Sequence, residues 1–406
     1  MPAALNFKRK RITRKQKSFP TRKPDYYFVM VIGILSAFGA VMVYSGSVLV
    51  AVRQGNSPYF YFIRQVFWIL LGLLGAYIVY RLDYHILPKL AIPGLAIAIV
   101  LLVAVLLVNS DQSIKRWIDL GPFDLQPSEL TKLIFLTYLS GWLAKQRKRV
   151  GKGWNALKHH FTHELLPFLV LLGIISFLII IEPDLDTTVI LGATSFIVYY
   201  IAGNDRIHLL GSIFTGLALT VVVWFTTNLA NYRITRLTSF FNFWQTGEIN
   251  DPFGTGYQLR QILVAVASGG IFGLGFGESR QKFHYLGDTA FSDTIFAIFA
   301  EEFGLVGSII LVSVFVFILL KGYQIARRAP DRVGSLLAIS MTTWITLQAL
   351  LHIAANVALI PINGNTLPFI SYGGSSTVIN LTAMGILLNI SSRSTSGSKR
   401  RSSRKR

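Results

Sequence analysis

The sequence predicts an all-α integral membrane protein with about ten transmembrane helices and one long extracytoplasmic loop between helices 7 and 8. The first observation is composition: 52% of the 406 residues are hydrophobic and only 14% are charged, whereas soluble proteins carry about 25% charged residues. The second is that the apolar residues gather in runs of about 20, the length of a membrane-spanning helix. Together they exclude a large soluble enzyme, a disordered chain and a fibrous protein. Because the chain has no cysteine, thiol catalysis, disulfides and zinc–thiolate sites are excluded too.

Ten apolar runs fit the length of a membrane span: 27–52, 59–80, 87–108, 128–144, 165–181, 187–202, 207–227, 294–320, 334–359 and 375–391. The fourth run is the least regular because it carries Glu129 and Lys132. The fifth and sixth are separated by Glu182-Pro183-Asp184, where the proline favours a helix boundary. These runs predict a membrane domain over 27–391, flanked by a basic N-terminal tail (1–26) and a basic, disordered C-terminal tail (392–406).

The distribution of Lys and Arg sets the expected orientation. With the N-terminus inside, 29 basic residues fall on the cytoplasmic side and 9 on the other, which predicts that both termini are cytoplasmic. The connection 228–293 is then extracytoplasmic, and its length suggests a functional role. The net charge of +20 sits in tails and short connections, a pattern that indicates contact with anionic membrane lipids rather than with nucleic acid.

Polar residues beside the membrane runs are functional candidates, because their burial in a bilayer is costly. Arg116 and Trp117 precede the fourth run, which carries Glu129 and Lys132. Glu129 and Lys132 are three residues apart, so a simple ion pair on one helix face is the structural alternative. A capped helix starting at Pro127, with Trp117 as an interfacial anchor, would need no further function.

Two acidic groups offer a choice between chemistry and capping. Asp184 lies between Glu182 and Asp186, and such a group could bind a divalent cation or cap a helix. Asp293 opens the eighth run, where its structural alternative is a helix N-cap. Glu301 and Glu302 follow on the order of 12 Å deeper along that helix, and must face protein or water.

Further candidates lie in the long connection and near the last run. The connection carries Arg233, Arg236, Gln258 and Lys282, and Ser371 belongs to an irregular, hydroxyl-rich stretch over 361–376. Carboxylates together with cations suit an amphiphilic substrate with an anionic head, handled by acid/base chemistry. These patterns alone do not separate an enzyme from a transporter.

The same segments resemble the SEDS family (shape, elongation, division and sporulation proteins), and its FtsW branch more than its RodA branch. The resemblance covers about residues 27–391. It rests on Arg116-Trp117-Ile118, Gln126-Pro127-Ser128-Glu129-Leu130, Glu182-Pro183-Asp184-Leu185, Gly256-Tyr257-Gln258, Ser268-Gly269-Gly270, Gln281-Lys282, Asp293 with Ile295-Phe296-Ala297 and Glu301-Glu302, and the stretch from Leu367 to Ser376.

This resemblance implies a ten-helix polymerase that extends peptidoglycan from lipid II at the outer face of the bacterial cytoplasmic (inner) membrane. It also implies a class B penicillin-binding protein (a transpeptidase) and other divisome proteins as partners, at the division septum. The residue at the position of Asp293 is expected to be catalytic. No cofactor is certain, and a divalent cation (Mg or Mn) near Asp184 or Asp293 is an option. The residues expected to hold lipid II or its diphosphate are Arg116, Trp117, Glu129, Lys132, Asp184, Arg233, Arg236, Gln258, Lys282 and Ser371.

Three other functions stay open: a lipid II translocase, a non-catalytic divisome scaffold, and a RodA-type role in elongation. The clustering of polar groups on one side of the membrane favours an enzyme over a translocase. The sequence also departs from the family pattern, most visibly at Asp186, where the family has Gly. Other departures are Gly287-Asp288 in place of Pro-Glu, His352 in place of Asn, and Asn363 in place of Thr.

Overall fold

The computed structural model describes residues 24–108, 116–119, 121, 124–145, 161–202, 213, 216–217, 230–249, 251, 253–254 and 256–393. Its helices are α1 (Tyr26–Arg53), α2 (Phe60–Arg81), α3 (Leu87–Val108), α4 (Pro127–Ala144), α5 (Leu166–Ile181), α6 (Leu185–Ile201), α7 (Ala230–Thr246), α8 (Tyr257–Ser268), α9 (Gln281–His284), α10 (Ile295–Arg328), α11 (Arg332–Asn356) and α12 (Gly374–Ser392). A π-helical turn, Phe161–Leu165, leads into α5, and a 3₁₀ turn spans Gly287–Thr289. The strands β1 (Ile118–Asp119) and β2 (Asp124–Leu125) form one short antiparallel pair.

The fold is that of an all-α integral membrane protein, as the composition predicts. Six helices of the described chain are long and apolar enough to cross a membrane: Tyr26–Arg53, Phe60–Arg81, Leu87–Leu107, Phe161–Ile181, Ile295–Arg328 and Arg332–Asn356. The fourth, sixth and tenth predicted runs coincide with α4, α6 and α12. The seventh run, 207–227, lies almost entirely outside the described residues, as do both tails, so the total of ten spans stays a prediction.

Helix α11 forms the centre of the bundle. It packs against α4, α6, α10 and α12, and it is the most buried of the six candidate spans. Around it, α2 and α12 approach each other closely. A Cβ on Gly385 of α12 would stand 2.4 Å from the carbonyl oxygen of Ala76 on α2, so only glycine fits there. Small residues at such a crossing are what brings membrane helices together.

Helix α10 is interrupted at Gly304, which adopts φ 66° and ψ −164°, a conformation accessible essentially to glycine alone. The interruption is covered by the segment 269–277, here called the Gly-rich segment. Four main-chain hydrogen bonds join the two: Leu274 N to Glu301 O, Gly275 N to Glu302 O, Leu305 N to Gly270 O and Val306 N to Ile271 O. The break therefore leaves these backbone groups satisfied within the protein, as a membrane environment requires.

A charged cluster joins the α2–α3 connection, the α10–α11 connection and the end of α12. His85 Nδ1 lies 2.7 Å from Asp83 Oδ1 and its Nε2 lies 2.8 Å from Asp331 Oδ2. Arg393, at the end of α12, donates to the same Asp83 oxygen at 2.9 Å, and Tyr84 donates to Asp331 at 2.6 Å. Burial alone would raise the pKa of Asp83, but the hydrogen bonds and charge of His85, with the charge of Arg393, lower it overall.

Candidate functional site

A cavity of about 370 Å³ lies where the hairpin β1–β2, the N-terminal ends of α4 and α6, and the segments before α10 and α12 converge. Twelve of its 19 lining residues carry a charged or hydroxyl side chain. The lining residues are Arg64, Trp68, Arg116, Trp117, Asp124, Gln126, Glu129, Asp184, Asp186, Thr187, Ser292, Asp293, Gly364, Asn365, Thr366, Tyr372, Gly373, Gly374 and Ser376. Five of the predicted site residues therefore share one cavity: Arg116, Trp117, Glu129, Asp184 and Asp293.

Asp184 lines the cavity, and its carboxylate is held in place by three hydrogen bonds. Its Oδ1 accepts a hydrogen bond from Thr187 N at 3.1 Å, which makes it the N-cap of α6. Its Oδ2 accepts from Ser128 Oγ and from Gln126 Nε2, both at 3.0 Å. Asp184 thus caps α6 and fastens it to the start of α4. Helix capping and this attachment to α4 account for both oxygens of the carboxylate, and the role of Asp184 toward substrate stays a prediction.

Arg116 is held by main-chain oxygens. Its Nε donates to the carbonyl of Glu182 at 3.3 Å, and its Nη2 donates to the carbonyl of Pro183. The guanidinium is thereby fixed on the cavity wall, where a planar group of several donors can recognise an anion. The Glu182 side chain itself is fully buried. Burial, followed by the charge of Asp184, raises the pKa of Glu182 to about 9 despite the opposing charge of Arg116.

Asp293 does not cap a helix. Helix α10 starts at Ile295 with Thr294 in the N-cap position, so the N-cap alternative for Asp293 is wrong by one residue. The carbonyl of Asp293 accepts from Asn356 Nδ2 at 3.0 Å, which ties this position to the end of α11. Behind it, Ser371 donates to the carbonyl of Ser292 at 2.7 Å. Ser371 is buried and supports the Asp293 main chain rather than lining the cavity.

Gly364 marks the point where three charged groups meet. A Cβ built on it would stand 3.7 Å from Asp293 Oδ2, 3.7 Å from Arg116 Nη1 and 3.8 Å from Asp186 Oδ2. Its N–H donates to Asp186 Oδ2 at 2.8 Å. Two carboxylates and a guanidinium therefore surround one small space, and the missing side chain of Gly364 keeps that space open.

Glu129 and Lys132 form a buried pair on α4, as their spacing indicates. Lys132 Nζ lies 2.6 Å from Glu129 Oε1, and it also donates to Gln348 Oε1 at 3.3 Å. Glu129 Oε2 is buried without a hydrogen-bond partner in the described structure, and Glu129 lines the cavity. The lysine thus neutralises a carboxylate that faces the site, and it does not line the cavity itself.

Lys282 lies elsewhere and is not an exposed loop cation. Its side chain is 3% exposed, and Nζ lies 2.5 Å from Glu302 Oε1 and 2.8 Å from Ser45 Oγ. The neighbouring Glu301 accepts from Ser279 Oγ and from main-chain N–H groups of the same segment. The expectation that Glu301 and Glu302 face protein or water is confirmed. The expectation that Lys282 is free to meet a diphosphate is wrong, because a buried carboxylate already holds it.

Three further predicted residues are not brought to the cavity by the described contacts. Gln258 is half-buried on α8 and does not line it. Arg233 and Arg236 fall on α7, but their side chains lie outside what the structure describes. Their roles toward lipid II stay predictions.

The sequence reasoning missed Arg64 and Tyr372, both of which line the cavity. Arg64 lies in the first turns of α2 with its guanidinium 4.4 Å from the ring of Phe60. The signal was available, since a charge inside an apolar run is itself a reason to suspect function. Burial raises the pKa of Tyr372, so its phenol stays protonated and can donate a hydrogen bond. Arg64 gives the site a second cation besides Arg116.

The carboxylates do not make up an all-protein metal site. Within the described part of the chain, no group of three or more His, Cys, Asp or Glu side chains is placed to hold a metal ion. Both oxygens of Asp184 already accept hydrogen bonds. Asp186 and Asp293 offer two carboxylates, a number with which Mg²⁺ can be held when substrate phosphates and waters complete its ligands. A divalent cation beside Asp293 therefore stays a prediction, and no step of the chemistry is assigned to it.

The arrangement suits a transfer reaction with an anionic leaving group. A carboxylate at Asp293 can accept a proton from a hydroxyl, while Arg116 and Arg64 can stabilise negative charge that develops nearby. Trp117, 40% exposed at the rim, offers an apolar face to a sugar or lipid. The site thus combines a base, a pair of cations and an apolar rim.

The sequence model of the FtsW, RodA and SpoVE family, described as "Cell cycle protein", matches residues 25–396. The chain is 35% identical to the "Probable peptidoglycan glycosyltransferase FtsW" of Trichlorobacter lovleyi over 93% of its own length and 95% of that protein. It is 34% identical to the "Stage V sporulation protein E" of Bacillus subtilis over 91% and 97% of the two chains.

The fold also resembles solved structures. A chain of a peptidoglycan synthase complex, solved for its structural coordination of polymerization and crosslinking, superposes with a TM-score of 0.70 at 26% identity, covering 91% of this chain and 97% of that one. The rod shape determining protein RodA of Thermus thermophilus superposes with a TM-score of 0.63 over 91% and 96% of the two chains. At 24% identity, the similarity to RodA supports a shared fold and nothing further.

Proposed function

The chain belongs to the FtsW, RodA and SpoVE family of cell cycle proteins, and from this premise we propose that it is a peptidoglycan glycosyltransferase that builds glycan strands from lipid II. The observation that carries the proposal is the cavity in which Asp293 and Arg116 face one small space beside Gly364. Relatives that are 34–36% identical over at least 90% of this chain bear the name "Probable peptidoglycan glycosyltransferase FtsW". A base next to a cation is what such a transfer needs.

In the proposed reaction, the 4-hydroxyl of one lipid-linked disaccharide attacks the anomeric carbon of another. The new carbon–oxygen bond forms as the bond from that carbon to the diphosphate breaks, and the diphosphate leaves with the bonding electron pair. Asp293 takes the proton of the attacking hydroxyl. Arg116 and Arg64 stabilise the charge that builds on the leaving diphosphate. Glu129, neutralised by Lys132, forms part of the cavity wall against which the sugar is held.

We assign the protein to the bacterial cytoplasmic membrane with both termini inside, and to septal synthesis in dividing cells, beside a class B penicillin-binding protein. Support comes from the basic tails, from the FtsW names among the relatives, and from the resemblance to a chain of a synthase complex. Single cysteines can test the orientation cleanly because the chain has none of its own. Glu248→Cys should label from outside and Arg327→Cys from inside, and the reverse pattern would refute the topology.

The deciding experiment is conversion of purified lipid II by the purified full-length protein, with and without its penicillin-binding partner. Formation of glycan chains, resolved by gel electrophoresis, is expected. A parallel assay in liposomes follows movement of labelled lipid II across the bilayer. Movement without chain formation would establish a translocase instead. If the protein does neither alone or with its partner, yet still binds that partner, it is a scaffold.

A further inference from the structure

We infer that Asp186 is a positioning residue. Its carboxylate accepts a hydrogen bond from Gly364 in the connection between α11 and α12, here called the clasp, and so fixes the space beside Asp293. The structure gives its side chain a specific contact, because Asp186 Oδ2 accepts the Gly364 N–H at 2.8 Å. A chain with glycine at 186 would lack this hydrogen bond.

Asp186 is presented from a fixed base. It lies in the first turn of α6, two residues after the N-cap Asp184. That cap is itself held by Ser128 and Gln126 at the start of α4. The main chain that carries the Asp186 side chain is therefore held by both α4 and α6. This fixes the position from which the carboxylate reaches Gly364.

The connection between α11 and α12 makes more hydrogen bonds in its second half than in its first. From residue 365 onward the chain is tied to α11: the carbonyl of Asn365 lies 2.6 Å from His352 Nδ1, and Gln348 donates to the carbonyl of Thr366 at 3.1 Å. Over 360–364, the bond from Gly364 to Asp186 is the single hydrogen bond that the main chain makes within the described residues. Asn363 Oδ1 in the same stretch is buried without a partner there. The position of the first half of the connection, residues 360–364, thus depends on the hydrogen bond to Asp186.

The position of Gly364 matters because it borders the reacting space. Its missing Cβ would stand within ordinary contact of Asp293 Oδ2 and Arg116 Nη1. A shift of this glycine would change the room available to an acceptor hydroxyl between base and cation. Misplacement by about 1 Å can cost on the order of 100-fold in rate. Asp186 acts through this geometry and need not touch the substrate.

Two substitutions distinguish a role of Asp186 as hydrogen-bond acceptor for Gly364 from a role that depends on its negative charge. Asp186→Asn keeps a carbonyl oxygen that can accept the Gly364 N–H, whereas Asp186→Ala removes the acceptor. We expect Asp186→Ala to abolish protection of the Gly364 amide in hydrogen–deuterium exchange of the full-length protein in nanodiscs, and Asp186→Asn to retain it. Thr188→Ala is the matched control, because Thr188 lies in the same turn and bonds the carbonyl of Asp184 at 3.0 Å.

The kinetic measurement rests on the proposed function, whereas the hydrogen–deuterium exchange measurement does not. In lipid II polymerisation, Asp186→Ala should lower kcat about 10-fold or more with a smaller change in KM, and Asp186→Asn should stay within about 3-fold of the parent. Unchanged protection of Gly364 in Asp186→Ala would overturn the clasp, whatever the activity. Equal losses of kcat in both variants, or an acid limb of the pH–rate profile displaced by Asp186→Asn, would also overturn it in favour of a role for the charge. If the parent protein does not polymerise, the exchange result still decides.

Discussion

Lys132 Nζ lies 2.6 Å from Glu129 Oε1, and both side chains are almost completely buried. The lysine is also 5.3 Å above the ring of Trp344, so a cation and an anion are enclosed together in the bundle. Breaking a buried pair by removing one partner is strongly destabilising, since it leaves the other charge uncompensated.

Lys132→Met should therefore lower the free energy of unfolding by about 3–5 kcal/mol, measured by thermal unfolding in detergent. The double variant with Glu129→Gln should regain most of that stability, because no lone charge remains. It should stay impaired in polymerisation, because Glu129 also lines the cavity. A Lys132→Met protein as stable as the parent would contradict the structural role of the pair.

Asp293→Asn tests the proposed base. Helix α10 has Thr294 in its N-cap position, so the change should leave the melting temperature nearly unaltered. An amide cannot accept the proton, and polymerisation should fall about 10²–10⁴-fold. Glu248→Gln, an exposed residue outside the cavity, serves as the matched control. Near-normal polymerisation by a folded Asp293→Asn protein would move the search for the base to Asp186 and Glu129.

Gly364→Ala fills the space between Asp293 and Arg116 with one methyl group. The nearest atoms to that methyl are at ordinary van der Waals distances of 3.7 Å or more, so folding should be retained. The methyl would, however, occupy the place expected for the acceptor hydroxyl, and the rate of polymerisation should fall at least 10-fold. Gly173→Ala on α5, where a Cβ meets nothing within 4 Å, should have normal activity. Unimpaired turnover by Gly364→Ala would show that the reaction occurs elsewhere in the cavity.

Glu182→Gln should change how stability depends on pH. The pKa of Glu182 is raised from 4.5 to about 9, chiefly by burial, so the folded protein holds this proton more tightly than the unfolded chain does. The parent should therefore lose stability as pH rises from about 5 to 9, by at most about 1.4 kcal/mol per pH unit. Glutamine does not titrate, so the variant's melting temperature should exceed the parent's by a margin that grows with pH. Parallel curves for the two proteins would contradict a protonated Glu182.

The sequence was informative about the cavity where polar residues lie beside an apolar run or at its start. Arg116, Glu129, Asp184 and Asp293 are predicted on that ground and meet in one place, because burial in a membrane leaves such groups few options. Helix positions followed from run length for the same reason. The distinction between chemistry and capping was harder, since Asp184 caps α6 while Asp293, beside a helix start, does not.

Pairing between distant segments could not be read from spacing. Lys282 is predicted to hold lipid II or its diphosphate, yet it is buried against Glu302 because the Gly-rich segment brings the two together through main-chain hydrogen bonds. Arg64 is one of the nine basic residues assigned to the non-cytoplasmic side, and its position in the sequence predicts nothing more. Its approach to the cavity depends on how α2 packs against α12, which no local pattern encodes.

The interruption of α10 has a consequence for how this protein can diverge in evolution. The N-terminal part of α10, which begins two residues after Asp293, is joined to the Gly-rich segment by main-chain hydrogen bonds and by one ring contact between Phe276 and Phe303. Mutations at Phe272, whose side chain is exposed, can therefore accumulate without disturbing those hydrogen bonds. Gly304 and Gly273 have no such freedom, because a Cβ on either would fall within 2.4 Å of the opposing backbone. Sequence drift in this segment should thus change the residues presented on its surface while the position of Asp293 is inherited unchanged.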